Sequence, residues 1–182
     1  MIKVITYNNR WDLYDEEYEK KTRSMISRHM TIPHIHRHYV SPRGDSWHII
    51  EMFKFAPFLL VALDAVIVGS LNECVNFNRL TAIEEWKIPG EPNTSLMWVT
   101  DVEYLYDEFQ KNKQKIKENY PWSVHAEQKW LKDTAKLDFY PKGWGTSYKY
   151  DGKPGKDTKI VVFHGKPKPH EVKDDWVKEN WR

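Results

Sequence analysis

Ile160-Val161-Val162-Phe163-His164-Gly165-Lys166-Pro167-Lys168-Pro169-His170 is the stretch from which the rest of the chain can be read. A short run of Ile, Val and Phe predicts a buried strand. It ends in His, Gly and two lysines held between prolines. Open α/β sheets bind ligands at strand ends of this kind. An imidazole offers a neutral nitrogen to a metal. Gly165 lets backbone approach a ligand closely. Lys166 and Lys168 offer point charges to phosphate, and the prolines fix the loop without needing a backbone donor. The segment suits a metal–diphosphate group.

Phe58-Leu59-Leu60-Val61-Ala62-Leu63-Asp64-Ala65-Val66-Ile67-Val68-Gly69-Ser70-Leu71 reads as a second buried strand, interrupted by one carboxylate. An unpaired buried charge is costly, so Asp64 is expected to meet a cation or to sit at the strand's mouth. Around these two segments, strands are predicted at residues 3–7, 33–40, 58–63, 80–83 and 95–99. Helices are predicted at 15–29, 47–53, 102–119, 126–131 and 174–181. In the first helix Tyr18, Thr22, Met25 and Ile26 share one face. Residues 42–45 read as a turn, and 142–156, with four of the eight glycines, as a long loop of the lid or acceptor kind. Strands alternating with helices indicate an α/β sandwich with a mostly parallel sheet.

The 182 residues are enough for one domain with a real core, and a second full domain is not expected. Lys and Arg number 28 against 26 Asp and Glu, too balanced for nucleic acid as the main partner. Cys74 is the one cysteine, so no intrachain disulfide forms; a reducing, cytosolic setting is expected, with Cys74 as a small buried residue. No signal peptide is visible at the start, and no apolar run reaches the length of a membrane span.

The two quoted segments together resemble a family of small nucleotide-sugar glycosyltransferases of the GT-A fold, related to glycosyltransferase family 8. In that family the strand reads roughly Tyr-Leu-Asp-x-Asp-x-Val-Ile-x-Gly-x-Leu and the C-terminal loop His-Gly-x-Pro-Lys-Pro. Asn93-Thr94-Ser95-Leu96-Met97, Glu127-Gln128 and Ser147-Tyr148-Lys149 match further, and residues 2–40 look like the family's first β-α-β unit. The resemblance covers nearly the whole chain in the right order. It implies one GT-A domain over residues 1–182, a three-layer α/β/α sandwich with a mostly parallel central sheet. It also implies sugar transfer from a nucleoside diphosphate donor, with UDP as the expected nucleotide. Ala62-Leu63-Asp64 departs from it, because the first carboxylate of Asp-x-Asp is missing. The lysine that members often carry after a tryptophan pair is also absent from Trp47-His48-Ile49-Ile50-Glu51.

Site expectations follow from the resemblance and from the chemistry together. A divalent cation bridging the phosphates stabilises the leaving diphosphate as a Lewis acid, and Mn²⁺ or Mg²⁺ is expected. Asp64 and His164 would ligate it. Lys166 and Lys168 would contact the diphosphate. Tyr7 and Asn8 end the first strand, where the fold holds the nucleoside; Tyr7 is either a base platform or a core aromatic. Asn93 would meet sugar hydroxyls, or would open a plain turn. Glu127 would stabilise positive charge developing at the anomeric carbon, with Gln128 orienting the sugar; otherwise Glu127 is a glutamate favoured by a helix N-terminus. The acceptor is expected to be a saccharide, with hydroxymethylated DNA as the alternative that the lysine-rich residues 111–117 would support. A domain that binds nucleotide sugar without turnover is the competing class. His34, His36 and His38 share one face of a strand, which is expected to be solvated.

Overall fold

The computed structural model describes residues 1–41, 46–121 and 125–182. The turn read at 42–45 and Trp122, read as a helix stop, lie outside the described residues. The strands are β1 (Ile2–Asn8), β2 (His34–Val40), β3 (Phe58–Ala62), β4 (Ala65–Ile67), β5 (Leu80–Glu84), β6 (Pro92–Val99), β7 (Leu137–Phe139), β8 (Gly145–Ser147) and β9 (Ile160–Val162). The helices are α1 (Glu16–His29), α2 (His48–Glu51), α3 (Glu103–Asn119), α4 (Ala126–Thr134), α5 (Tyr148–Asp151) and α6 (Asp175–Asn180).

The first helix forms where its spacing predicts. Asp15 caps it, its carboxylate accepting from the backbone N–H groups of Glu17 and Tyr18, which satisfies donors that the helix leaves open. Tyr18, Thr22, Met25 and Ile26 are its buried face. With β1 and β2, which pair in parallel, it makes the β-α-β unit expected at the start of the chain.

The central sheet has the order β2-β1-β3-β6-β5-β7. The pairs β1–β2, β1–β3 and β5–β7 are parallel, and β6 runs antiparallel to both its neighbours. One reversed strand in a mainly parallel sheet is the result. Side chains alternate along these strands, so each strand feeds two cores. Val4, Leu59, Val61, Leu96 and Trp98 pack with α1 residues on one face. Ile5, Phe58, Leu60, Met97 and Val99 pack with Ile50, Leu105, Phe109 and Trp130 on the other. The three layers are thus α1 with a small second sheet and α6, the central sheet, and α2, α3 and α4.

The small sheet, β4-β9-β8, corrects two expectations. Residues 160–162 do form a fully buried strand, but it lies in this second sheet, paired with β4 (Val66↔Val161) and β8 (Thr146↔Val161). The 58–71 run is likewise two strands. The chain leaves the central sheet after Ala62, turns through Leu63 and Asp64, and enters the second sheet at Ala65. The glycine-rich 142–156 segment is not one long loop, since it contains β8 and α5. Gly145 is required there by contact: a Cβ would meet Ile83 Cγ2 at 2.6 Å.

The histidine strand is a third correction. His36 and His38 do share a face, but it is turned toward α1 and is not freely solvated. Both rings bond the same hydroxyl, Thr6 Oγ1, at 3.1 and 2.8 Å. Burial holds the His36 ring down to about 4 against the opposing pull of Glu19. Cys74 is buried as expected, and burial pushes its thiol up to about 12. Among the described residues no helix is long and apolar enough to cross a membrane.

Candidate active site

A cleft of about 230 Å³ opens where four chain segments meet. Tyr7 comes from the end of β1, and Ala62 and Asp64 from the end of β3; Tyr7 and Ala62 are register partners. Thr94 and Ser95 come from β6, whose reversed direction brings its first half to the same end of the sheet. Glu127 and Gln128 come from the first turn of α4. Arg10, Tyr14 and Ser46 complete the walls. The cleft lies at the carboxyl ends of parallel strands, where ligand sites of α/β sheets form.

Asp64 sits in the turn between the two sheets and is held by a closed set of contacts. Its Oδ2 accepts from the Tyr14 hydroxyl at 2.9 Å and from Lys168 Nζ at 2.9 Å. Lys168 also donates to the Tyr14 oxygen at 2.7 Å and to the Phe163 carbonyl at 3.0 Å. An ammonium has three N–H donors, and these contacts engage all of them. Lys168 is 8% exposed, so the charge needs this shell. Burial, and then the Asp64 charge, push the Tyr14 phenol far above its usual range, so it remains a donor. The loop that delivers Lys168 is tied by its backbone N–H to Glu171 Oε2 at 2.6 Å.

His164 lies beside this cluster through the backbone, since Phe163 N–H donates to the Asp64 carbonyl at 2.8 Å. Its side chain is engaged elsewhere. Nε2 is hydrogen-bonded to Ser147 Oγ at 2.7 Å, and the ring stacks on Trp86 with centroids 5.3 Å apart. Burial lowers its pKa, with Glu85 and Asp64 pulling the other way, so the imidazole is neutral near neutral pH. Among the described residues, no group of three or more His, Cys, Asp or Glu converges on a point that could hold a metal ion. Ala62 carries no ligand atom, and Asp64 Oδ2 is already bound to an ammonium.

The other expected residues divide between the cleft and its supports. Glu127 is nearly fully buried and accepts from Ser46 Oγ at 2.6 Å. Burial raises its carboxyl above the ordinary range despite that hydrogen bond. Gln128 bonds His125 Nδ1 at 2.8 Å through Oε1 and reaches Thr94 Oγ1 at 3.4 Å through Nε2. Tyr7 lines the cleft with its hydroxyl on Ser41 Oγ at 2.6 Å. Asn8 is buried behind the wall, its amide donating to the Tyr14 carbonyl and accepting from Arg10 N–H, each at 2.9 Å. Asn93 lies within β6 and not in a turn, and donates to Glu85 Oε2 at 2.7 Å. Lys166 is exposed beside Glu171 at 3.5 Å.

Tyr14, Arg10, Ser46 and Trp86 were not singled out from the sequence. Tyr14 stands just before the Asp15 cap, where an aromatic carries no signal of its own. Arg10 follows the first strand in a polar loop, the one place where its type and position together hinted at anion contact.

The fold and the position of this cleft define a protein of the GT-A glycosyltransferase fold. The chain superimposes on an active-site glutamine-to-glutamate mutant of LgtC with a TM-score of 0.71 at 7% identity, covering 98% of this chain and 93% of that one. The galactosyltransferase LgtC in complex with donor and acceptor sugar analogues gives 0.65 at 8% identity, over 92% and 89%. A glycosyltransferase involved in glycosylating the major capsid of PBCV-1 gives 0.61 at 14% identity, over 90% and 94%. No family model and no curated protein sequence matches the chain.

Proposed function

We propose that this chain transfers a sugar from a nucleoside diphosphate donor, with UDP as the expected nucleotide, to an acceptor that is a saccharide. The observation that carries the reading is the convergence of Tyr7, Asp64, Thr94, Glu127 and Gln128 on one cleft from segments far apart in the chain. Tyr7 offers a face to the base. Thr94 and Gln128 offer hydroxyl and amide groups to the sugar. Glu127 would stabilise positive charge developing at the anomeric carbon, and Arg10, whose Nε and Nη2 donate to Asp12, would reach phosphate through its remaining N–H donors. Catalysis on this reading rests on positioning and on stabilising the leaving diphosphate. The single buried cysteine keeps a cytosolic setting as part of the same reading.

Titration of UDP and of a panel of UDP-sugars by calorimetry tests it, followed by release of free UDP from whichever donor binds. Binding with a micromolar constant, lost in Arg10→Ala and in Tyr7→Ala, is the expected result. Failure of every nucleoside diphosphate to bind would sink it. A second reading, donor binding without turnover, is favoured by Ala62 and by the pairing of Asp64 with Lys168. Saturable binding with no donor consumption, in the presence of an acceptor panel, would select it.

A further inference from the structure

We propose that the Lys168 ammonium stands in the place of a divalent cation, so that the cleft takes a nucleoside diphosphate without a metal. This rests on the donor-site reading above. Asp64 is the carboxylate at the mouth of β3, and its partner cation is already covalently part of the chain, 2.9 Å away. A metal reaching Asp64 Oδ2 would have to displace both Lys168 and the Tyr14 hydroxyl. Displacement would strip the ammonium of its contact with Asp64 in a largely buried position, which is strongly unfavourable. Ala62 offers no second carboxylate to repay that loss, and His164 is bonded to Ser147 and stacked on Trp86.

The charge count agrees. One carboxylate balanced by one ammonium leaves a neutral pair, whereas in the free protein a divalent ion beside Asp64 and Lys168 would leave two excess positive charges in a largely buried position. With the pair neutral, a diphosphate entering the cleft meets Arg10 and the first turn of α4. Lys168 is therefore a built-in cation with a fixed address.

The test has one arm that needs no nucleotide. Mn²⁺ is titrated into the wild-type protein and followed by loss of the free-ion paramagnetic resonance signal. No stoichiometric uptake is expected; uptake that disappears in Asp64→Asn overturns the inference. Lys168→Met frees Asp64, so its Mn²⁺ uptake should exceed that of the wild type, and in Lys168→Met/Asp64→Asn the excess should vanish again, the double variant serving as the neutral control for folding. In the second arm UDP is titrated into wild-type protein in EDTA and in Mn²⁺. Affinities agreeing to within about twofold support the proposal. Binding that requires Mn²⁺ overturns it and leaves the donor site standing. Absence of binding by UDP, ADP, GDP and CDP in both conditions removes the donor-site reading and this inference with it. The wild-type arms decide the matter even where a variant does not fold.

Discussion

Lys168 shows how much one residue can decide. In sequence it is a lysine between prolines, and reading it as a phosphate contact is the natural inference. Its partner Asp64 lies 104 positions away, and no local pattern announces that the two meet. Because the pair is largely buried, removing one member should cost far more than a surface ion pair would. Lys168→Met leaves Asp64 with Tyr14 alone and should lower stability by about 3 kcal/mol, read as a shift in urea midpoint. Lys168→Met/Asp64→Asn should recover most of that loss; no recovery would mean that the effect is packing and not charge. Glu127 makes a second case. Its carboxyl is raised by burial, so the stability contributed by its neutral form is present below the ordinary carboxylate range. That stability is lost as pH rises through the raised value. Glu127→Gln should therefore flatten the pH dependence of stability above the ordinary carboxylate range, measured by urea titration from acid to neutral pH.

At the scale of elements, the long ones follow from pattern and most of the short ones do not. The first helix, the main strands and the α3 helix match their predicted spans closely, because their spacing repeats over enough residues to be distinctive. Strands β4, β7 and β8 are three residues each, too short for alternation to register, whereas β9, equally short, shows in its apolar run. The switch of the chain from one sheet to the other at Leu63–Asp64 was accordingly read as a single strand. Within the second sheet, the pairing of β4 with β9 depends on close backbone approach. A Cβ on Gly69 would lie 2.5 Å from the Thr158 carbonyl oxygen, and backbone cannot swing aside as a side-chain tip can. Gly69→Ala should cost about 1–3 kcal/mol, seen as a lowered thermal midpoint. An unchanged midpoint would show that the β4–β9 pairing gives way easily.

At the scale of the whole molecule, stability against acid is set in part by the layer that α1 lays over β2. His36 meets Thr6 and Glu19 there, with His34, His38 and Arg23 adding their own fields. Its folded value of about 4 lies below the usual value for the unfolded chain. The contribution is therefore whole above about pH 6.5 and is lost as pH falls toward the folded value. His36→Gln should remove that part of the acid limb, measured as urea midpoints from neutral pH downward. A limb of the same slope in the variant would place the acid sensitivity elsewhere.

The chain by itself determined the periods of its longer helices and strands, the buried face of its first helix, the α/β class and the rough address of the site. These are local consequences of covalent geometry and of apolar spacing, repeated along a few long elements. Only the tertiary structure decided which charged groups became partners. Burial makes an unpaired charge costly wherever it sits, but which distant residue answers it depends on how loops and sheets pack. Asp64 met Lys168 and Tyr14, His164 met Ser147 and Trp86, and His36 met Thr6, each across a long separation in sequence.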